Sequence, residues 1–75
     1  MLRIGEFAAL ADMSIRALRH YDDIDLLKPA YIDEETGYRY YDYTQLARAY
    51  RLTAFKNMGL ALNEIGELLD GKMSP

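Results

Sequence analysis

The chain has 75 residues and a formal net charge of −3, because 12 acidic side chains outnumber 9 Lys and Arg side chains. A surface that binds phosphate normally shows a basic excess, so the total charge argues against a nucleic-acid partner. An apolar fraction of 51% excludes a disordered polar chain, and the length permits only one small domain.

The residue types present exclude several chemical functions. The chain has no Cys, which excludes disulfides, thiolate nucleophiles and Cys-based zinc sites, and the single His20 cannot supply a metal-ligand set. The sequence contains no nucleophile paired with a base and no glycine-rich phosphate loop, so we predict a protein that is not an enzyme and needs no cofactor or metal. No apolar run approaches the ~20 residues that span a bilayer, so a cytoplasmic location is expected.

The first 23 residues predict two helices joined by a tight turn. Apolar side chains recur at helical spacing over residues 4–11, which predicts a helix of about two turns. Asp12 tolerates a left-handed backbone and Ser14 is a favourable N-cap, so a second helix is predicted over residues 15–23. The segment 4–23 therefore reads as a helix-turn-helix.

The second of these helices is predicted to expose a basic face. Ile15 is expected to face inward, while Arg16, Arg19 and His20 lie on the outer side. Arginine can grip a guanine edge or a phosphate with two parallel hydrogen bonds, and the hydroxyl of Tyr21 can donate to a phosphate oxygen. An ordinary helical hairpin with solvated arginines fits the same pattern.

Residues 26–41 predict a β-hairpin that would lie beside the helix-turn-helix as a wing. Pro29 ends the helical periodicity, and residues 38–41 alternate with the period of two that is typical of a strand, after a polar loop at 33–37. Alternation places Arg39 and Tyr41 on one face of the strand and Tyr38 with Tyr40 on the other. Tyr40 is predicted to face the core and Arg39 with Tyr41 to face DNA, while Tyr38 is assigned to neither side.

Two further helices are predicted after the hairpin. Asp42 and Gln45 resemble a capping box that opens a third helix running to about Met58, and Gly59 ends it. A fourth, amphipathic helix then ends at residues 70–71, where glycine can adopt a C-cap conformation. The predicted class is mainly α with a small β-hairpin, in the order of a winged helix-turn-helix.

The motifs, taken in order, resemble the N-terminal winged helix-turn-helix domain of the MerR family of bacterial transcription regulators. The matching segments are IGEFA (4–8), SIRALRHY (14–21), LLKP (26–29), GYRYY (37–41) and MGLALNEI (58–65). The run SIRALRHYDDIDLLKP, with TGYRYY after it, is most similar to the BmrR-like multidrug-sensing branch.

This resemblance implies a DNA-binding domain at residues 1–71, comprising a helix-turn-helix at about 4–23, a wing at about 26–41 and a helical second wing at about 43–70. Family members bind as homodimers to a pseudo-palindromic operator in promoter DNA and distort it so that RNA polymerase can engage, which is a form of shape readout. The resemblance assigns DNA contacts on the recognition helix to Arg16, Arg19 and Tyr21. It assigns those of the first wing to Tyr38, Arg39 and Tyr41, and those of the second wing to Arg51 and Lys56.

The chain departs from the family pattern at three places. His20 stands where the family usually has Tyr or Phe, and it could donate to a phosphate or simply pack. Ala61 stands where the family often has Ser or Thr, which removes an N-cap worth ~1 kcal/mol. Residues 72–75 are expected to begin the dimerisation region. The chain is therefore interpreted as a DNA-binding fragment, or a natural minimal variant, that is monomeric on its own and binds a half-site weakly.

An alternative function keeps the arginines as solvated charges. The apolar surfaces of the third and fourth helices would then dock a partner helix in a protein-interaction module. The distribution of charge favours DNA, because residues 1–21 carry +1 and residues 36–59 carry +3, while residues 22–35 carry −5. The acidic residues 33–35 at the wing tip should repel phosphate, so this tip is predicted to point away from the DNA backbone.

Overall fold

A computed structural model describes residues 1–71 and contains four helices and a three-stranded antiparallel sheet in that range. The predicted class, mainly helical with a small β-hairpin, is confirmed, and a short N-terminal strand that was not predicted joins the hairpin. In chain order the elements are β1 (Leu2–Arg3), α1 (Ile4–Ala11), α2 (Ile15–Asp23), β2 (Tyr31–Ile32), β3 (Arg39–Tyr41), α3 (Gln45–Asn57) and α4 (Leu62–Leu69).

The turn between α1 and α2 forms as its residue types predict. Asp12 adopts the left-handed conformation, with φ 56° and ψ 45°, and the Met13 N–H donates to the Ala8 carbonyl oxygen at 2.9 Å. Ser14 caps α2, because its Oγ accepts a hydrogen bond from the Ala17 N–H at 3.0 Å. These local bonds fix the angle at which α2 leaves α1.

The sheet has the order β1-β3-β2, so β3 is its central strand. β1 pairs Leu2 with Tyr41 and Arg3 with Tyr40, and β2 pairs Tyr31 with the same Tyr40. Residues directly opposite each other in antiparallel strands point to the same face. Arg3, Tyr31 and Tyr40 therefore share one face of the sheet, and the core lies on the side of Leu2 and Tyr41.

The helices close the core over that second face. α3 packs against both α1 and α4, as expected of a helix with a wide apolar sector. The row of α3 that faces the core contains Ala49 and Leu52, whereas Tyr50 on the same helix and Met58 at its C-cap are exposed. The fully buried side chains with the largest volumes are Tyr41, Phe7, Leu18, Leu27, Leu52 and Ile65.

The junctions of α3 and α4 follow the predicted signals with small shifts. The Asp42 N–H donates to Gln45 Oε1 at 2.8 Å, but the Asp42 carboxylate accepts from the Thr44 N–H, so α3 begins at Gln45. Gly59 has φ 92°, which a side chain would strain, and it separates the two helices. The predicted start of a dimerisation region at residues 72–75 lies outside the described residues.

Candidate nucleic-acid interface

The outer face of α2 carries three exposed polar side chains. Arg16, Arg19 and His20 are all exposed, and among residues 1–71 none of them forms an ion pair with a carboxylate. The prediction that these three side chains lie on the outer face of α2 is confirmed. Ile15, however, is 42% exposed rather than buried, because it occupies the first turn of α2, beyond the edge of the core.

Tyr21 is a core residue, unlike the exposed side chains beside it on α2. Its side chain is only 4% exposed and belongs to the core cluster, which corrects the prediction of a tyrosine hydroxyl free to reach phosphate. The hydroxyl oxygen instead accepts a hydrogen bond from Lys56 Nζ at 3.3 Å, and the same ammonium lies 5.9 Å from the ring centroid. Tyr21 therefore connects α2 to α3 from the inside.

Asp22, at the end of α2, joins this helix to the sheet. Its carboxylate is buried, accepting from Arg39 Nε at 2.9 Å and from Lys28 Nζ at 3.3 Å. Burial alone would raise the pKa of this carboxyl, but the hydrogen bonds and charges of Arg39 and Lys28 outweigh burial and hold the pKa below 3.8. The carboxylate is thus ionised at neutral pH and restrains Arg39 in one place.

Arg39 therefore has a different environment from the arginines of α2. Its Nε donates to Asp22, its side chain is 32% exposed, and the Asp22 hydrogen bond raises the pKa of its guanidinium further above the ordinary value. Arg39 was predicted only to face DNA, but its Nε also holds the hairpin against α2 through the bond to Asp22. Its other N–H groups form no hydrogen bond with the described residues.

The predicted faces of the central strand are reversed at two tyrosines. Tyr41 is fully buried and stacks on Phe7 with ring centroids 4.6 Å apart, so the prediction that Tyr41 faces DNA is wrong. Tyr40 is half-buried and packs on Tyr31 at 6.0 Å across the hairpin, rather than entering the core. The physical reason is β1, because Leu2 pairs opposite Tyr41 and brings the apolar start of α1 over that side.

Burial also affects the chemistry of Tyr41. Its hydroxyl has no hydrogen-bond partner among the described residues. Burial, together with the charge of Asp22, raises the pKa of the phenol above 10.0. Tyr41 is a core residue that carries an unsatisfied polar atom, and it offers nothing to a ligand at the surface.

Tyr38 remains at the surface, and it has an arginine beside it that sequence reasoning missed. The ring is 50% exposed, and the guanidinium carbon of Arg3 lies 4.5 Å from its centroid. Arg3 reaches this place because β1 pairs with β3 in the register that puts it opposite Tyr40. A two-residue strand at a chain start leaves no pattern in the sequence, so no sequence signal indicates this position for Arg3.

The two basic residues predicted on α3 differ from each other. Arg51 is exposed and, among the described residues, has no ion pair. Lys56 is exposed as well, but its ammonium donates a hydrogen bond to the Tyr21 hydroxyl. The third basic residue of α3, Arg48, is structural, because its guanidinium donates to the Leu26 carbonyl oxygen and to Asp70 Oδ1, each at 2.9 Å.

The acidic loop between β2 and β3 is internally organised. Asp33 accepts hydrogen bonds from the backbone N–H groups of Thr36 and Glu35 at 3.1 and 2.9 Å, and these bonds lower the pKa of its carboxyl. Glu34 and Glu35 are exposed at the tip. The Asp33 carboxylate thus stabilises the turn, whereas the carboxylates of Glu34 and Glu35 are exposed to solvent.

The described cations therefore form two groups. Lys28, Arg39 and Arg48 have carboxylate partners within 4.0 Å. The cations of residues 1–71 that lack such a partner are Arg3, Arg16, Arg19, Arg51 and Lys56. Within the same residues there is no cluster of His, Cys, Asp or Glu that could hold a metal, and no helix is long and apolar enough to cross a membrane.

A helix-turn-helix whose second helix exposes unpaired arginines, with a hairpin beside it, defines a winged helix-turn-helix module. The family model described as MerR HTH family regulatory protein matches residues 2–72. The chain belongs to this family, as its motifs predict.

Similar proteins support this assignment. The chain is 47% identical over 70 residues to the multidrug-efflux transporter 1 regulator of Bacillus subtilis, and 40% identical over 68 residues to the HTH-type transcriptional activator mta of the same organism. These alignments cover 93% and 91% of this chain but 25% and 26% of the relatives. The chain thus spans about a quarter of the length of the curated relatives it matches.

Solved structures agree with the fold. The cryo-EM structure of the EcmrR-DNA complex in EcmrR-RPo superimposes with a TM-score of 0.91 at 33% identity, covering 97% of this chain and 27% of that one. The crystal structure of MtaN, the N-terminus of the Bacillus subtilis multidrug transporter activator, gives a TM-score of 0.84 at 38% identity, covering 93% and 65%. Both likenesses extend over nearly the whole chain.

Proposed function

We propose that this domain binds duplex DNA for transcription regulation at a promoter, with α2 in the major groove and the β2–β3 hairpin against the neighbouring phosphate backbone. The observation that carries the proposal is the outer face of α2, where Arg16 and Arg19 are exposed without a carboxylate partner among residues 1–71. The major groove of B-DNA, about 12 Å wide, admits an α-helix and presents guanine O6 and N7 to arginine.

The side chains around α2 take distinct roles in this proposal. Arg16 and Arg19 read base edges or clamp phosphates, and His20 donates to a phosphate from the same face. Tyr38 contacts the backbone from the hairpin, and the free N–H groups of Arg39 add a contact while Asp22 fixes the orientation. Tyr21 and Tyr41 support these residues from the core instead of touching DNA.

The α3 residues supply a second, weaker set of contacts. Arg51 is exposed and would reach phosphate on the flank of the site, as expected for a helical second wing over residues 43–70. Lys56 is less free, because its ammonium bonds to the Tyr21 hydroxyl. Like charges on one helix also raise the local potential, which favours DNA association even where no direct contact forms.

The wider regulatory role extends beyond this domain. The relatives include proteins named as regulators and activators, and a relative is seen in an EcmrR-DNA complex in EcmrR-RPo. By analogy, a longer chain would bind promoter DNA as a homodimer in the cytoplasm and act with RNA polymerase there. In this role the domain recognises and distorts DNA and is not an enzyme.

The experiment that tests DNA binding is a fluorescence titration of the 75-residue chain against a mixed-sequence duplex at stepped salt, followed by selection from a randomised duplex pool. Binding should weaken steeply with salt, by a factor set by the number of phosphates neutralised, each adding about 0.9 to the log–log slope. A duplex affinity that does not change with salt concentration would contradict the proposal and favour the protein-interaction module on α3 and α4.

Arg19→Ala sharpens this test. It should cost about 1–3 kcal/mol of binding free energy on the selected sequence and relax the base preference, because a bidentate contact is lost. Arg19→Lys is the matched control, since it keeps the charge but lacks the planar fork. Lysine should retain affinity for the mixed-sequence duplex while failing to restore the base preference.

A further inference from the structure

A cleft of about 190 Å³ opens between the chain start, α2 and the β2–β3 hairpin. Its lining brings together three arginines that are far apart in the sequence, and it contains no carboxylate. The lining residues are Arg3, Ile4, Arg19, Gly37, Tyr38 and Arg39. Arg3 and Arg19 have no carboxylate partner among residues 1–71, while Arg39 is paired with Asp22 from outside the lining. A concave site with two unpaired guanidinium groups attracts an anion.

Arg3 is the member of this cleft that no sequence motif includes. Its backbone is fixed, because β1 pairs it with Tyr40 and its N–H donates to Glu6 Oε1 at 3.0 Å. Its guanidinium lies 4.5 Å from the centroid of the Tyr38 ring. Stacking on an aromatic face restricts the guanidinium plane while leaving the N–H groups at its edge free to donate.

The positions of the other arginines show which anion fits. Arg19 belongs to the exposed face of α2, and Arg39 belongs to the hairpin, where Asp22 restrains its Nε. The cleft therefore lies where the proposed groove-binding helix meets the proposed backbone-binding hairpin. A phosphate that borders the groove entered by α2 would pass this position.

We infer that Arg3, stacked on Tyr38, binds a phosphodiester of the DNA backbone at the mouth of this cleft. The inference rests on the proposed function and adds a contact from the N-terminal strand to those of the helix and hairpin. Guanidinium groups match the non-bridging oxygens of a phosphodiester through paired hydrogen bonds. The contact is to the backbone, so it contributes affinity and register without base preference.

The test is the affinity of Arg3→Ala for a mixed-sequence duplex over about 25 to 200 mM salt. The variant should bind about tenfold more weakly at the lowest salt, and its log–log slope should fall by about 0.9, as expected for one lost phosphate contact. Its selected base preference should equal that of the parent. Arg3 is exposed, so the far-ultraviolet circular dichroism and melting temperature should stay unchanged.

Paired variants at Arg3 and at Tyr38 distinguish the effect of the stacked planar guanidinium from the effect of a positive charge alone. Arg3→Lys keeps the charge and should recover only part of the affinity, and full recovery would overturn the role of the fork. Tyr38→Phe keeps the ring and should leave Arg3 in place, whereas Tyr38→Leu should weaken binding. The double variant Arg3→Ala with Tyr38→Leu should lose less binding free energy than the sum of the two single losses, because each single variant already breaks the same stacked pair.

The outcomes distinguish this inference from the proposed function. If the parent binds the duplex and Arg3→Ala binds with the same affinity and salt slope, the inference is overturned and DNA binding stands. If the parent fails to bind any duplex at the lowest salt, both are overturned. If Arg3→Ala loses binding of inorganic phosphate, measured by amide shifts, but keeps duplex affinity, the cleft is a small-anion site and the phosphodiester assignment is wrong.

Discussion

The α1–α2 segment and the β2–β3 hairpin were predicted with very different success, although both are short and both lie at the proposed DNA surface. In the first, the helix bounds, the left-handed Asp12 and the Ser14 cap all agree with the sequence pattern. In the second, the strands form where expected, but the face assignment of Tyr40 and Tyr41 is reversed. The two regions differ in where their determinants lie along the chain.

Helices are specified by neighbours within about four residues, whereas the faces of a strand are specified by what pairs and packs from elsewhere. The hairpin is oriented by Leu2 and Phe7 from the chain start and by Asp22 from α2. As a result α2 exposes unpaired arginines, while the hairpin arginine is restrained by an ion pair. Substitutions at the exposed arginines of α2 should therefore mainly change DNA binding, and substitutions at the buried residues of β3 should mainly change stability.

The largest expected effect is at Tyr41. Tyr41→Ala should lower the free energy of unfolding by about 3–5 kcal/mol, because it removes a fully buried ring that stacks on Phe7. A loss of that size is comparable with the whole stability of a small domain. Urea or thermal unfolding followed by circular dichroism measures it.

Tyr41→Phe is the matched control for that substitution. It should change stability by less than about 1 kcal/mol, since the hydroxyl has no partner among the described residues to lose. Its DNA affinity should equal that of the parent. A folded Tyr41→Phe that binds DNA many-fold more weakly would mean that this hydroxyl faces the ligand and that the assigned faces of β3 are wrong.

The second effect is at Asp22. Asp22→Asn should lower the free energy of unfolding by about 1–3 kcal/mol, less than for a fully buried ion pair because Arg39 and Lys28 are partly exposed. Asp25→Asn is the control, since Asp25 pairs with Lys28 at the surface and asparagine accepts its positive φ. That change should cost no more than about 0.5 kcal/mol.

The same carboxylate predicts a pH dependence. The folded-state pKa of Asp22 is lowered below 3.8 by Arg39 and Lys28 acting against burial, so the folded state binds this proton less readily than the unfolded chain. Its contribution is therefore complete above the unfolded pKa and is lost as the pH falls through the lower folded pKa. Acid unfolding curves should show a smaller loss of stability in that range for Asp22→Asn, and identical curves would contradict the ion-pair account.

The smallest effects are at two helix caps with nearly the same backbone. Ser14 has φ −77° and ψ 152°, and Ala61 has φ −75° and ψ 153°. Ser14→Ala should cost about 1 kcal/mol of stability, and Ala61→Ser should add up to about 1 kcal/mol. Glu64 already accepts from the Ala61 N–H at 2.9 Å, so serine would complete a capping box there. Equal and opposite shifts in melting temperature would confirm that local signals govern the helices.

The helices, the hairpin and the family could be predicted from the sequence, because capping residues, glycines and apolar spacing act locally. The sequence was sufficient for Arg16, Arg19 and His20 as exposed side chains for the same reason. It could not place Tyr21, whose burial depends on α3, or the pairing of Arg39 with Asp22, 17 residues away. It also could not indicate Arg3, because β1 exists only through its pairing with β3.

The most direct test of the account is to map the DNA surface by nuclear magnetic resonance. Adding a duplex to the ¹⁵N-labelled chain at low salt should shift the backbone amides of residues 14–20 and 37–39, together with Arg3. The amides of α4, from Leu62 to Leu69, should change little. Shifts concentrated on α4, with the amides of α2 unchanged, would contradict the claim that the unpaired arginines of α2 form the DNA-binding surface.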